Sequence, residues 1–173
     1  MVYQFCRQSK RAAVIIPSHG RFVGASSLPF SEYRRRLGDR IGLNWRIPNV
    51  HGKLAICHVV YNTNWWNSFI NARLRVSMGD RGCLSLFGTN AETHRMFGEH
   101  LTSEYFIKTE ARGRSFDEWK QRPEQPDNHW FDCLVGSSVA ASMQGAILFG
   151  TESTRDLSPK RVSFKDIQQN RRK

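Results

Sequence analysis

A loop bounded by prolines that runs into a long apolar helix is the feature that most constrains how this chain can fold. Pro123 and Pro126 mark the loop, and the stretch 131–143 then carries no charged residue except Asp132. Its small and apolar residues predict a buried helix. Asp132 falls in the first turn, where unpaired backbone N–H groups favour a negative charge. Such a carboxylate either satisfies the helix terminus alone, which spacing by itself favours, or binds a divalent metal at the edge of the core.

The formal net charge is +11 over 173 residues, and the sequence pI is about 10.1. A strong positive charge indicates a polyanionic partner, because each Lys or Arg that neutralises a phosphate releases condensed counterions. We interpret the partner as nucleic acid, the alternative being that the charge serves only solubility. No apolar run approaches the roughly 20 residues that span a bilayer. We therefore expect no membrane partner and a cytoplasmic protein.

Four cysteines (Cys6, Cys57, Cys83 and Cys133) are scattered without a C-x-x-C pair. Structural zinc sites use closely spaced ligand pairs, so this distribution disfavours one, although His129 and Cys133 are four residues apart. Reduced thiols are expected.

Hydrophobic patterning predicts a mixed α/β fold. The predicted elements are a helix over 1–10 with Val2 and Phe5 facing inward, a buried strand over 12–16, a turn over 17–20, an exposed basic loop over 21–52, a strand over 58–61, a helix over 65–75 capped by residues 62–64, a turn over 79–82, a short strand over 83–87, a helix over 91–101 and a hairpin of strands 104–110 and 115–120. On the helix over 65–75, Asn67 and Asn71 are predicted to face solvent. In the hairpin, Glu104, Glu110, Asp117 and Glu118 are predicted to be mostly solvated charges.

Basic residues concentrate over 31–53, where six Lys or Arg residues face two acidic ones, a local net charge of +4. Phe30, Tyr33 and Trp45 are interleaved with them. Basic groups can follow a phosphate backbone, while the aromatic rings either stack on bases or hold the loop to the core. The candidate DNA-binding residues are Arg34, Arg35, Arg36, Arg40, Arg46 and Arg73.

The C-terminal residues 151–173 combine seven Lys or Arg residues with three acidic ones and few large apolar side chains. This composition is typical of a mobile tail. We therefore divide the chain into a domain over 1–145 and a flexible basic tail over 146–173.

The stretch RPEQPDNHWFDCLVGSSVAASMQG (122–145) resembles the last motif of the phage large terminase family of the lambda type. In that family a loop of the form R-P-G-x-x-N-E-x-L-D-C enters an alanine-rich helix. Segments 99–105 and 114–120 are similar to the family's E-x-L-T-x-E-x segment and the strand after it, and segments 2–7 and 13–20 to the helix and strand that follow its second catalytic Asp. The resemblance covers about residues 1 to 145.

The resemblance implies a ribonuclease-H-like nuclease fold, a mixed sheet flanked by helices, that cuts concatemeric double-stranded DNA with Mg²⁺ or Mn²⁺. Asp132 stands at the position of the last of three metal-binding carboxylates, and His129 stands where the family more often has Glu. The other two carboxylates lie upstream in the family, so the chain is predicted to be a partial domain. The implied partners are the upstream part of the large subunit, the small subunit and the portal. No G-x-x-x-x-G-K-[ST] phosphate loop occurs, so no ATP site is predicted.

Two hypotheses follow. In the first, the chain is the C-terminal nuclease portion of the large subunit, with Asp132 and His129 as catalytic residues and Asp132 as the metal ligand. Whether it cuts DNA alone stays open, and Glu104, Glu110 and Asp117 are the candidates to complete its site. In the second, it is a non-catalytic DNA-binding or docking module of the packaging motor. A zinc-dependent structural domain is a third, disfavoured alternative.

Overall fold

The computed structural model describes residues 2–52, 55–111 and 113–151. Within them the helices and strands are α1 (Val2–Gln8), β1 (Ser18–Arg21), β2 (Arg40–Gly42), β3 (Trp45–Ile47), β4 (Val59–Asn62), α2 (Thr63–Leu74), α3 (Arg95–Thr102), β5 (Glu104–Ala111), β6 (Arg114–Gln121) and α4 (His129–Met143), with short 3-10 helices at Phe30–Glu32 and Ala91–His94.

Strands β1 to β4 form a mixed sheet in the order β1-β4-β3-β2. Strand β1 is parallel to β4, with Ser18 opposite Val59 and Gly20 opposite Tyr61. Strand β3 is antiparallel to both β4 and β2. Strands β5 and β6 form a separate antiparallel hairpin. The predicted mixed α/β class is confirmed, whereas the ribonuclease-H-like arrangement stays a prediction.

The two faces of the sheet have different neighbours. Side chains alternate along a strand, so Val59 and Tyr61 share one face. Helix α4 covers that face. Trp45 of β3 lies opposite Tyr61 of β4, and its Nε1 donates a 3.1 Å hydrogen bond to Ser142 Oγ on α4. Helix α1 lies on the other face, where its Tyr3 hydroxyl is hydrogen-bonded to the His19 ring.

The core lies where α2 and α4 meet the sheet and the hairpin. Trp66 on α2 and Phe131, Val135 and Val139 on α4 are at most 2% exposed and belong to one cluster with residues of β3 and β4. Helix α2 begins as predicted, because the Asn62 side chain accepts a hydrogen bond from the backbone N–H of Trp65. The apolar helix in the C-terminal motif, the helix over 91–101, the turn at 79–82 and the hairpin are likewise confirmed.

The helix predicted over 1–10 is confirmed as α1, but the buried strand predicted over 12–16 and the inward orientation of Val2 and Phe5 are wrong. Residues 12–16 form turns and irregular chain, and β1 lies in the predicted turn. Pro17 has no N–H to donate to a ladder; its carbonyl accepts from the Val59 N–H at 3.0 Å, and pairing begins at the next residue. In α1, Val2 and Phe5 are 62% and 64% exposed.

Two further stretches differ from their predictions. The predicted loop over 21–52 contains β2 and β3, whose three-residue length is too short to show a period of two. A two-residue turn joins them, with Asn44 in the left-handed region at φ 51°. Residues 83–87 form no strand. Of the predicted basic tail, residues 152–173 lie outside the described part of the chain. Among the described residues, no helix has the length and apolarity needed to cross a membrane.

Candidate functional site

Asp132 is held at the start of α4. The helix begins at His129, and the backbone N–H of Asp132 donates a 3.0 Å hydrogen bond to the carbonyl of Asn128. Next to it, Phe131 is 1% exposed and fixes this turn to the core, while Asp132 itself is exposed. A rigid, packed helix therefore presents the predicted carboxylate at the protein surface.

A second carboxylate, Glu104, lies close enough to Asp132 for the charge of Asp132 to raise its pKa. Glu104 is the first residue of β5 and is half-buried. Its Oε2 accepts a 2.8 Å hydrogen bond from the Asn67 side-chain amide, and its Oε1 accepts a 2.7 Å hydrogen bond from the Asn128 amide. Asn67 comes from α2 and Asn128 from the residue before α4. Both oxygens of Glu104 are thus held in place by amides from two separate elements.

The electrostatics of the two carboxylates are coupled. Burial raises the pKa of Glu104, the Asn128 hydrogen bond opposes this rise, and the negative charge of Asp132 adds to it. The pKa of Asp132 is also raised, mainly because neighbouring protein removes water from the carboxylate, and His129 opposes that rise. Like charges held together in a partly desolvated place are destabilising, and such arrangements concentrate at functional sites.

Tyr61 of β4 is buried within electrostatic range of both carboxylates. It is 8% exposed, and its pKa is raised first by burial and then by the charges of Asp132 and Glu104. Its hydroxyl lies beside Gly20 of β1, where a Cβ atom would be 3.5 Å away. The two carboxylates therefore lie near the carboxyl end of the parallel pair β1–β4.

His129 lies on the outer rim of the same site. Its side chain is 79% exposed, and its Nε2 is 3.8 Å from Asp127 Oδ1. Its ring centroid is 6.1 Å from that of His100 on α3. In this position an imidazole can meet a molecule that approaches Asp132 from solvent.

The four hairpin carboxylates, all predicted to be mostly solvated, differ in their burial and hydrogen bonds. For Glu104 the prediction of a solvated charge is wrong, because Glu104 shares a face of β5 with Phe106, which packs on the core. Glu110 is exposed, as predicted, and lies six residues along the strand, about 20 Å away. Asp117 accepts a 3.1 Å hydrogen bond from Ser68 Oγ, and Glu118 accepts from the Ala25 N–H. Alternation in β5 puts Glu104 and Glu110 on the same face, so no local sequence signal singles out Glu104.

Two carboxylates suit a hard divalent cation such as Mg²⁺ or Mn²⁺, which prefers oxygen ligands. In residues 2–52, 55–111 and 113–151, no group of three or more His, Cys, Asp or Glu side chains is arranged to hold a metal. Mg²⁺ commonly uses one or two protein carboxylates and completes its shell with water and substrate phosphate. The pair Asp132–Glu104 fits such an open site, not a closed structural one.

The six arginines predicted to bind DNA do not lie together. Arg34, Arg36 and Arg46 line one pocket. Arg35 and Arg40 are exposed outside it. Arg73 Nη1 donates a 2.9 Å hydrogen bond to the carbonyl of Phe149.

The family of the chain follows from its sequence. A sequence model of the family described as terminase large subunit gpA, endonuclease domain, matches residues 1–151. The chain belongs to this family. No curated protein and no solved structure matches it. The resemblance to lambda-type terminases is thereby confirmed, and the match reaches from the first helix through α4. Membership in the gpA endonuclease family associates the chain with the cutting and packaging of phage DNA.

Proposed function

We propose that this gpA endonuclease domain cleaves double-stranded DNA at a divalent-metal site built on Asp132 and Glu104. The observation that carries the proposal is a pair of partly desolvated carboxylates on rigid elements, with raised pKa values, of which that of Glu104 is raised in part by the negative charge of Asp132. A cation between them would relieve that repulsion. The metal-dependent chemistry and the role of each residue come from this proposal and from the resemblance described above.

The bound Mg²⁺ or Mn²⁺ would supply an activated water and stabilise the charge on the leaving oxygen of a phosphodiester. The protein side chains would hold the metal ion and orient the substrate and the water. Asp132 and Glu104 provide carboxylate oxygens, and the amides of Asn67 and Asn128 keep Glu104 in a single orientation. His129, exposed one turn of chain before Asp132, positions a phosphate oxygen or a water at the rim.

The resemblance assigns three carboxylates to the complete nuclease, two of them upstream of the segment matched here. We propose that an upstream part of the large subunit contributes further ligands to the same site, so that the domain works with that part, the small subunit and the portal. These further ligands would approach the Asp132–Glu104 pair at the carboxyl end of β1–β4, near Tyr61.

A non-catalytic DNA-binding module is the second candidate. The observation that favours it is that, in the described part of the chain, no third metal-binding side chain joins Asp132 and Glu104. This alternative predicts DNA binding without cleavage under any metal condition.

Nicking of supercoiled plasmid by the full chain in Mn²⁺ tests the proposal, with Asp132→Asn as the site variant and Asp80→Asn as the control. Asp80 lies in the exposed turn at 79–82. We expect the wild type and Asp80→Asn to nick and Asp132→Asn to fail. Nicking by Asp132→Asn at the wild-type rate would show that the site is wrongly assigned. Absence of nicking in all three, with DNA binding retained, would favour the non-catalytic module.

A further inference from the structure

A second concave surface lies on the face of the sheet opposite α4. It is a pocket of about 580 Å³ whose lining includes four arginines and two aromatic rings: Arg21, Arg34, Arg36, Arg46, Phe22 and Tyr33. Arg46 pairs with Val60 of β4, one residue from Tyr61, so its side chain leaves the sheet on the side away from α4. We name this surface the arginine pocket.

The arginine pocket is held in shape by Asp39, whose side chain is 1% exposed. Asp39 Oδ1 accepts a 2.7 Å hydrogen bond from the Asn49 N–H, and Oδ2 accepts from the Arg36 N–H at 3.0 Å. Oδ2 also lies 3.0 Å from Arg46 Nη2. One buried carboxylate therefore fixes both the loop that carries Arg36 and the guanidinium of Arg46. Within the described ranges, Arg46 is the one pocket arginine in an ion pair, so these residues give the pocket an excess of positive charge.

The ring of Tyr33 is already engaged by its neighbours. The guanidinium carbons of Arg21 and Arg46 lie 5.1 and 5.7 Å from its centroid, and Phe30 meets it edge-on with centroids 5.0 Å apart. A base cannot stack on an aromatic face that guanidinium groups cover. Phe22, the second ring of the lining, is 54% exposed, so the choice of duplex over single-stranded DNA rests on the proposed function and is tested directly below.

We propose that the arginine pocket binds the phosphate backbone of duplex DNA without reading its sequence. Planar guanidinium groups fit phosphate oxygens with two parallel hydrogen bonds, and several of them at fixed spacing suit successive phosphates. Backbone contacts position a protein on DNA and carry no direct sequence information. The proposal adds Arg21, the last residue of β1, to the predicted DNA-binding set.

The pocket and the carboxylate pair lie at the same end of β1–β4. Arg21 directly follows Gly20, which pairs with Tyr61, and the charges of Asp132 and Glu104 both raise the pKa of Tyr61. The choice of duplex DNA as the ligand rests on the proposed function. The geometry and charge of the arginine pocket do not depend on it.

Fluorescence anisotropy with a labelled duplex of about 20 base pairs, titrated with the full chain without divalent metal, tests the proposal. The test variant is Arg34→Ala with Arg36→Ala, and the charge-matched control is Arg81→Ala with Arg95→Ala, two exposed arginines outside the pocket. We expect the test variant to lose at least about tenfold in affinity and to flatten the dependence of log K on log salt by about 2, one unit per lost phosphate contact. The control should bind like wild type.

Equal losses in the two double variants would overturn the proposal, since net charge and not the pocket would then govern binding. Tighter binding of a single strand than of duplex, lost on Arg34/Arg36 substitution, would also overturn it, as would saturation by inorganic pyrophosphate that duplex fails to displace. A circular dichroism melt checks the fold, and Arg34→Gln with Arg36→Gln replaces the alanine pair if that pair unfolds. Because the titration contains no divalent metal, it measures binding apart from cleavage, so failure of this proposal and failure of the nuclease proposal are distinguishable.

Discussion

The side-chain amide of Asn128 donates a 2.7 Å hydrogen bond to Oε1 of Glu104, which joins the residue before α4 to the first residue of β5. Two segments that are 24 residues apart in sequence meet through this bond. Because Asp132 lies in the first turn of the same helix, the bond also fixes the distance between the two carboxylates. The candidate site is therefore a property of how α4 docks on the hairpin, and not of one motif.

Substitution of Glu104 by Gln should remove one metal-binding group from the site. We expect plasmid nicking in Mn²⁺ to fall by more than about 100-fold, since even outer hydrogen-bond partners of metal ligands typically contribute 10- to 100-fold. Glu110→Gln is the matched control, because Glu110 is an exposed carboxylate on the same strand. Equal activity of the two variants would remove Glu104 from the site.

Substitution of Asn67 by Ala should act on stability and cleavage together. Asn67 is 5% exposed and its amide donates to Glu104, so its loss leaves a half-buried carboxylate oxygen without that partner. We expect the free energy of unfolding to fall by about 1–3 kcal/mol in urea titration. Nicking should fall by about 10- to 100-fold when it is measured well below the unfolding transition. Asn71→Ala, on the same helix, should change neither quantity by a comparable amount.

Divalent metal should stabilise the wild-type protein against heat. A ligand that binds only the folded state contributes about 2.7 kcal/mol at 100 times its dissociation constant. We expect Mn²⁺ to raise the melting midpoint of the wild type and to leave that of Asp132→Asn unchanged. Without metal, Asp132→Asn should melt no lower than wild type, because the raised pKa of Asp132 indicates an unfavourable charge at neutral pH. A metal-dependent rise of equal size in both proteins would contradict the assignment.

Asp39 should make stability depend on pH in a defined direction. Backbone hydrogen bonds from Asn49 and Arg36, followed by the charge of Arg46, hold the pKa of Asp39 below its usual value of 3.8. A lowered folded-state pKa means that the stabilisation is complete above pH 3.8 and disappears as the pH falls through the folded-state value. Asp39→Asn should therefore melt below wild type at pH 7, and the difference should shrink below about pH 4. A difference that stays constant down to pH 2.5 would exclude this linkage.

Elements with a strong local signal could be predicted from the sequence. Helix α2 has the side-chain cap at Asn62, and α4 has an almost uncharged apolar stretch after a loop that contains two prolines. The hairpin also has recognisable alternation. In each case the information lies within one element, where propensity and patterning act.

The short strands and the second carboxylate depend on contacts that a local pattern does not contain. Strand β1 has all four residues exposed and forms because its backbone pairs with β4, about 40 residues later. Glu104 looks like an ordinary charge at the start of a strand until Asn67 and Asn128 converge on it. The burial of Asn67 follows from the same convergence, since a polar side chain enters a core only when its hydrogen bonds are made there.

The hydrogen bond from Trp45 to Ser142 spans 97 residues and has a consequence for how the chain folds during synthesis. The sheet face that carries Trp45 has its apolar cover on α4, near the end of the described chain. Contacts of such large sequence separation form late and slow folding. On the ribosome, we therefore expect β3 and β4 to expose an apolar face until α4 emerges, and exposed apolar surface of this kind favours aggregation and chaperone binding.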